Sequence, residues 1–374
     1  MNNRERQDAI LHYRDYDRMP VVHFGFWGET LDKWVEEGHL TREEVTHAGD
    51  GSEKERAFCN KLGFDFNYYT TIGGHNGLKP PIESKVLGMT DDGFQKVLNG
   101  NGVIELHRGD AGSIPAEIGY LLEDKASWEE HFKHRMQYDE ERVNSARFEN
   151  FPYKKKADRE FALGLHFGSM LGNVRNMLGF EGVSYLYADD PDTFQEIIDA
   201  NADLSYKVAE KMLAQGIEFD FCHFWEDICF KNGPLISPKV FEPVCGPWYR
   251  KFGELAAKHG IDIVSLDCDG CIDALIPTWI NNGVNTMFPI EVGTWEASIA
   301  PWREKFGKDL RGVGGMDKKV FAYDYKAIDE EIERLKPLVA LGGFIPCPDH
   351  RIAPDAKWEN VQYYCEQFRK AFGR

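Results

Sequence analysis

Two aspartates, Asp267 and Asp269, follow a short apolar stretch that begins at Ile261. The stretch is rich in β-branched residues and predicts a strand, and side chains on a strand alternate between its two faces. Asp267 and Asp269 therefore share one face, whereas Cys268 points the other way. Carboxylates held close together repel each other, so either one of them keeps a proton or a cation binds. An N-cap aspartate followed by a turn aspartate is the alternative explanation of this pattern.

Other polar and aromatic groups lie near the ends of further predicted strands, and they outnumber the groups that helix capping requires. Four groups have the ligand types that zinc and similar divalent cations accept. The predicted metal ligands are Asp267, Asp269, Glu226 and His350. The predicted substrate-binding residues are His23, Trp27, His166, His223, Trp225, Glu291 and Asp317. A salt bridge at a helix start is the alternative for Glu226, and a core histidine bonded to a carbonyl is the alternative for His350.

Eight segments have the composition of strands, and helical stretches separate most of them. They begin at Val21, Phe64, Phe161, Glu218, Ile261, Thr286, Leu310 and Ala340. Strands that alternate with helices predict parallel βα units, and eight such units predict a closed (β/α)8 TIM barrel whose strand ends meet at one mouth. A doubly wound open sheet is the alternative. It usually has a Gly-rich phosphate loop after its first strand, where this chain has an aromatic segment between Gly25 and Gly28. We interpret Gly312-Val313-Gly314-Gly315, which lacks a third spaced glycine, as a backbone turn.

One domain covering residues 1–374 accounts for the whole chain. A short helical extension precedes the first strand, and the segment Gln95–Leu106 predicts a β-hairpin around an Asn-Gly turn. We take this hairpin and the charged helical stretch after it, about residues 85–155, as an insertion. A long helix begins at Asp190-Pro191 and ends before Gly216, with an N-cap, a first-turn proline and a terminal glycine in the expected places.

The composition limits the kind of partner. The chain has 374 residues with 42% hydrophobic and 28% charged residues, as in ordinary globular proteins, and a net charge of −18. This charge argues against nucleic acid or an anionic membrane surface as a partner. The sequence has no apolar run of about 20 residues and no signal-peptide core near its first residues, so we expect a cytoplasmic enzyme. For Cys268 and Cys271, a redox pair is one explanation and packing between sheet and helix is the other.

Several motifs resemble those of the uroporphyrinogen decarboxylase superfamily, and the similarity extends over nearly the whole chain. They are Asn3-Arg-Glu-Arg, Asp17-Arg-Met-Pro-Val, Gly233-Pro-Leu-Ile-Ser-Pro, Gly314-Gly-Met-Asp-Lys and Gly342-Gly-Phe-Ile. The resemblance implies a (β/α)8 barrel. The decarboxylases have an arginine-rich segment after the first strand, whereas here the segment from His23 to Glu29 contains no arginine.

The resemblance is closest to the cobamide-dependent methyltransferases of that superfamily. Their His-x-Cys-Gly zinc motif falls on Asp267-Cys268-Asp269-Gly270, and their late cysteine falls on His350. This implies a divalent metal, zinc in the family, held here by harder ligands. It also implies transfer of a methyl group from a small donor, an aryl methyl ether, to the cobalt of a corrinoid (cobalamin) protein. Because the chain has no Asp-x-His-x-x-Gly stretch, we expect a separate partner protein to carry that corrinoid.

Within that reaction, Glu226 or Asp227 is the expected catalytic proton donor to the leaving oxygen. Two alternatives remain open: a metal-independent decarboxylase of the founding type of the superfamily, and a non-catalytic ligand-binding barrel.

Overall fold

The computed structural model describes residues 1–108 and 115–373. The strands are β1 (Val22–His23), β2 (Phe66–Asn67), β3 (Thr71–Ile72), β4 (Lys85–Met89), β5 (Gln95–Leu98), β6 (Val103–His107), β7 (Ala116–Tyr120), β8 (Gly164–Gly168), β9 (Phe221–Trp225), β10 (Cys229–Phe230), β11 (Gly233–Pro234), β12 (Val264–Asp267), β13 (Thr286–Ile290), β14 (Arg311–Met316) and β15 (Phe344–Pro348). The α-helices are α1 (Asn3–Leu11), α2 (Gly28–Glu36), α3 (Arg42–Val45), α4 (Glu53–Leu62), α5 (Lys125–Ser127), α6 (Ser145–Glu149), α7 (Gly172–Asp189), α8 (Pro191–Leu213), α9 (Pro238–Lys258), α10 (Ile276–Asn281), α11 (Val292–Trp295), α12 (Ile299–Phe306), α13 (Tyr325–Val339) and α14 (Trp358–Phe372).

A seven-stranded parallel sheet forms the centre of this mixed α/β structure. Its strand order is β15-β14-β13-β12-β9-β8-β3. Every residue of β12, β13 and β15 is buried, as expected for parallel strands that are covered on both faces. Each of the eight segments predicted as strands contains an observed strand. The carboxyl ends of these parallel strands lie at one edge of the sheet, which is where the candidate site lies.

The first two predicted strands form a separate parallel pair, β1 with β2. The chain passes from β2 into β3 within a few residues, so this pair is connected directly to one edge of the large sheet. At the other edge, β1 contacts β15, and Phe26 forms a parallel bridge with Ile352. The pair β1–β2 therefore contacts the edge strand β15 and is joined to the other edge strand, β3, by a short connection.

Helix α8 shows how local sequence determines an element. The Asp190 side chain accepts a hydrogen bond of 3.0 Å from the backbone N–H of Thr193, and Pro191 occupies the first turn, as the sequence predicted. Its apolar stripe, which includes Phe194 and Ile198, is completely buried. None of the helices in residues 1–108 and 115–373 is long and apolar enough to cross a membrane.

The predicted hairpin is present as β5 and β6, and it is part of a larger antiparallel sheet with the order β4-β5-β6-β7. The backbone N–H of Asn99 donates to the carbonyl of Val103 across the turn, and Gly102 adopts the positive φ that the turn needs. Strand β7 lies against α7, where a Cβ on Gly179 would meet the ring of Tyr120. The inserted sheet thus packs beside the helix that follows β8.

The glycines from Gly312 to Gly315 belong to strand β14, so our interpretation of them as a turn was wrong. The reason is close approach between strands. Gly314 has a φ of +118°, and a Cβ at this position would lie 2.3 Å from the backbone nitrogen of Ile290. A β-bulge between Met287 and Ile290 brings the two backbones this close.

We expect Gly314→Ala to destabilise the protein by more than about 2 kcal/mol, because the new methyl group would collide with the backbone of Ile290. Gly216→Ala is the matched control, since Gly216 also has a positive φ of 73° but has no neighbour within 4 Å. Urea unfolding measures both variants. Equal losses of stability would mean that backbone strain alone, and not the close approach of two strands, explains Gly314.

Candidate functional site

Three aspartates meet at the carboxyl edge of the sheet. Oxygen atoms of Asp227, Asp267 and Asp269 all lie within 4.8 Å of one another. The pairing of β9 with β12 explains this convergence. Asp267 pairs with Trp225, and Asp227 lies two residues after Trp225 in the sequence. The backbone N–H of Asp269 also donates a hydrogen bond of 3.1 Å to Oδ1 of Asp227. The structure therefore brings together two of the predicted metal ligands and one of the predicted proton donors.

Burial and the repulsion from neighbouring carboxylates disfavour the ionised forms of Asp227 and Asp267. Burial raises the pKa of Asp227 to about 6, and the charge of Asp269 adds to the effect. Burial also raises the pKa of Asp267 well above its ordinary value, with Asp227 and Asp269 as further causes. A group of acids in this state accepts either protons or a cation.

His350, the fourth group at this edge, follows β15. Its Nε2 atom lies 3.4 Å from Oδ2 of Asp269. Its ring stacks on Trp27 with the centroids 5.5 Å apart and an interplanar angle of 18°, and it also contacts the edge of Phe24. Nδ1 of His350 is buried and has no hydrogen-bond partner among the described residues. Trp27 thus holds the imidazole beside the aspartates, where the sequence predicted a ligand.

Glu226 does not belong to this cluster, and the structure does not support its predicted roles as metal ligand and proton donor. The carboxylate is fully buried at the start of α7. Its oxygens accept hydrogen bonds from the hydroxyl of Tyr249, from Ser169 Oγ at 3.0 Å, and from the backbone N–H groups of residues 170, 171 and 172 at 2.6, 3.0 and 2.8 Å. Burial raises the pKa of Glu226, and these hydrogen bonds oppose the rise. Glu226 therefore caps a helix N-terminus instead of facing the site.

The donor set of the cluster suits a hard or borderline divalent cation. Three carboxylates and one imidazole are ligands that magnesium, manganese, iron and zinc accept, whereas a thiolate site would select softer ions. The mutual repulsion of the three aspartates fits a bound cation, and Nε2 of His350, next to Asp269, is a further donor at the margin of the cluster. Behind the cluster, Arg351 forms a bidentate ion pair with Asp50 at 2.6 and 3.1 Å, so its charge is already partly neutralised.

Glu291 and Trp27, both predicted to bind substrate, line a small cavity of ≈ 270 Å³ that also contains Asp269 and His350. Glu291 accepts hydrogen bonds from the backbone N–H of Gly270 at 2.5 Å and from Thr294 Oγ1 at 3.0 Å. Burial, together with the charge of Asp269, raises the pKa of Glu291 to about 7. Glu291 therefore fixes the loop that carries Asp269, and it adds a fourth acid next to the cluster.

Three other predicted substrate residues have different surroundings. His23 is buried, accepts a hydrogen bond of 3.0 Å from the N–H of Gly25, and has its pKa lowered by burial to about 3. His223 is completely buried, with Nδ1 3.1 Å from Ser265 Oγ and Nε2 without a partner among the described residues. The Asp317 side chain accepts a hydrogen bond from the N–H of Lys319 and caps a short 3-10 turn. Capping is a structural role, and it leaves the substrate-binding role of Asp317 without support here.

A cavity of ≈ 550 Å³ lies at the same edge of the sheet. His166 and Trp225, the remaining predicted substrate residues, line it together with Tyr69. Sequence reasoning missed the asparagines of α7 and α8 that complete the lining. It also missed the ion pair of Arg351 with Asp50. No local pattern could have revealed these residues, because they meet only through the arrangement of separate helices and loops.

We expect Glu226→Gln to lower the free energy of unfolding by about 3 kcal/mol, because an amide N–H₂ would face hydrogen-bond donors in a buried site. Glu210→Gln is the control, since Glu210 is an exposed residue of α8. Urea unfolding at pH 7 compares the two variants. A loss below 1 kcal/mol for Glu226→Gln would show that the five donors do not hold a carboxylate.

In chelator-treated protein, we expect Asp227→Asn to stabilise the fold by about 2 kcal/mol at pH 7 and by much less at pH 4. Asp227 has its pKa raised to about 6 in the folded protein. The contribution of this carboxyl to the free energy of unfolding is therefore fully present below the unfolded-state pKa and is lost as the pH rises through 6. Asparagine tolerates the φ of +47° at this position and keeps an oxygen for the N–H of Asp269. Thermal unfolding at both pH values, with exposed Asp192→Asn as control, measures the difference. A pH-independent gain would contradict the assigned repulsion.

No protein-family model matches this chain, and no curated protein sequence matches it. Solved structures do match. A methyltransferase from Methanosarcina mazei has a TM-score of 0.61 at 13% sequence identity, and the alignment covers 99% of each chain. A protein assigned as a vitamin-B12-independent methionine synthase from Listeria monocytogenes has a TM-score of 0.36 at 16% identity, covering 61% of this chain and 70% of the other, which is too low to carry an argument. Over its full length, this chain is therefore similar in fold to the M. mazei methyltransferase.

Proposed function

We propose that this protein transfers a methyl group from a small methyl ether to the cobalt of a corrinoid carried by a separate protein. The observation that carries the proposal is the convergence of Asp227, Asp267 and Asp269, with His350 next to Asp269, close to a large, partly aromatic cavity. The full-length likeness in fold to a protein described as a methyltransferase supports the reaction class. The motif resemblance supports the corrinoid acceptor and membership of the uroporphyrinogen decarboxylase superfamily.

The proposal includes a closed eight-stranded barrel. In it, the pair β1–β2 completes the ring between β15 and β3, which its contact with β15 and its short connection to β3 support. A closed barrel explains why groups from β9, β12 and β15, far apart in the sequence, point to one place.

A divalent cation, zinc by the motif resemblance, is the proposed occupant of the cluster. It would stabilise the negative charge that develops on the ether oxygen when the carbon–oxygen bond breaks. The residues of the chain have separate tasks. Asp267 and Asp269 provide oxygen ligands, His350 provides a nitrogen held in place by Trp27, and Asp227 is placed to hold a proton or to act as a further ligand.

The test combines metal content with methyl transfer. We expect the purified protein to bind about one zinc per chain by elemental analysis, and to methylate reduced cobalamin in solution when methoxylated aromatics are supplied, as followed by absorbance. Asp267→Asn and His350→Ala should each lose the metal and slow transfer by roughly 100-fold, since ligand loss weakens both binding and charge stabilisation. Asp192→Asn, an exposed carboxylate change on α8, should alter neither.

Different outcomes separate this proposal from its alternatives. Methyl transfer that survives complete removal of metal would contradict the role of the cluster. Release of carbon dioxide from uroporphyrinogen without any methyl transfer would favour a decarboxylase. Tight binding of donors without turnover, unaffected by Asp267→Asn, would favour a ligand-binding protein.

A further inference from the structure

The large cavity at the carboxyl edge has an unusual lining for a protein with a net charge of −18. None of the described residues that line it is Asp, Glu, Lys or Arg. Its polar groups are mainly amides and one imidazole, and its apolar groups include Met136, Met177 and Trp225. An anion that entered this cavity would lose its hydration without gaining a cationic partner, which is strongly unfavourable.

Asn201 lines this cavity and carries a hydrogen-bond acceptor that no described residue satisfies. Its side chain is completely buried, and Nδ2 donates to the carbonyls of Ser169 and Met170 at 2.6 and 3.1 Å. These two bonds determine which side-chain atom is the oxygen. Oδ1 is left without a hydrogen-bond partner among the described residues. A buried acceptor without a donor is costly, so a ligand that donates a hydrogen bond would satisfy it.

His166 supplies a donor. The backbone N–H of Gly168 donates to Nδ1 of His166 at 3.0 Å, so the proton of the neutral ring must reside on Nε2. Burial lowers the pKa of His166 to about 4, and the ring is therefore uncharged at neutral pH. The lining thus includes an N–H donor, a carbonyl acceptor and the indole of Trp225, with no formal charge.

We propose that this cavity is the donor-binding site and that it selects an uncharged, hydroxyl-bearing methyl ether over a carboxylate-bearing one. A phenolic hydroxyl both donates and accepts, which fits Asn201 and His166 together, and it stays protonated at neutral pH. The volume of ≈ 550 Å³ is in the range of small-molecule sites. The identification of the ligand as a methyl ether rests on the proposed function, whereas the preference for an uncharged ligand rests on the lining alone.

Two probes that differ at one group test this selectivity. They are 4-hydroxy-3-methoxybenzyl alcohol, which is neutral, and 4-hydroxy-3-methoxybenzoate, which is an anion at pH 7. Isothermal titration of the full chain should show that the alcohol binds at least tenfold more tightly than the benzoate. Calorimetry measures binding without turnover, so this result does not depend on methyl transfer.

A charge variant identifies the cavity as the binding site. Asn176 lies on α7, is partly exposed and lines the cavity, so Asn176→Arg adds a cation there without burying it completely. We expect the variant to bind the benzoate at least tenfold more tightly than wild type and the alcohol within about threefold. Asn60→Arg, at an exposed position of α4 outside this cavity, adds the same charge and should leave both affinities unchanged.

Three results would overturn the inference: equal or tighter binding of the benzoate by wild type, no binding of the alcohol, or the same effect from Asn176→Arg and Asn60→Arg. The binding of the two probes by wild-type protein tests the selectivity even if Asn176→Arg does not fold. Selective binding of the alcohol without methyl transfer would instead leave this inference standing and overturn only the proposed function.

Discussion

Electrostatic repulsion among closely spaced carboxylates is the constraint on which the candidate site depends. Asp227, Asp267 and Asp269 lie within 4.8 Å of one another because strand register and a backbone hydrogen bond hold them there. Side chains free to move would separate, since each nearby charge raises the cost of ionising the next. The positive charge of Arg351, which acts on Asp267, is already paired with Asp50. The stability of the surrounding sheet therefore offsets the repulsion and keeps the acids together. Bound protons or a bound cation would relieve that repulsion.

Glu226 and Asp227 show how two adjacent carboxylates acquire different roles. Glu226 points to the start of α7, where backbone N–H groups and the Tyr249 hydroxyl surround it. Asp227 has a left-handed backbone conformation that turns its side chain to the cluster. The first carboxylate stabilises the connection between β9 and the α7 N-terminus, and this connection in turn fixes where the second one lies. The position of Asp227, which faces the cluster, therefore depends on the structural role of Glu226.

Much of the framework was predictable from the sequence, because apolar strand segments and helix caps leave local patterns. All eight predicted strand segments contain strands, and the cap at Asp190 is present. The convergence of Asp267, Asp269 and His350 followed from the rule that parallel strands end at one edge. The choice between Glu226 and Asp227 did not follow, because it depends on the N-terminus of a helix that lies far away in the sequence. The prediction for the glycines of β14 was wrong for a similar reason. These glycines allow a close approach to Ile290, which lies on another strand, so the local sequence does not reveal their role.

The site divides into two regions with opposite electrostatic character. The cluster region gathers acids and one imidazole, whereas the larger cavity has no formal charge on its described lining. Tyr69 lines the cavity, and the charge of Asp267 contributes to the raised pKa of its phenol, so the two regions are neighbours. An uncharged donor in the cavity meets no charge–charge repulsion from the acids. A carboxylate-bearing donor would face both the uncompensated desolvation of the cavity and the remaining negative charge of the acids. Under the proposed function, the division therefore separates the tasks: the neutral cavity binds and orients the donor, and the charged region acts on the single oxygen where charge develops.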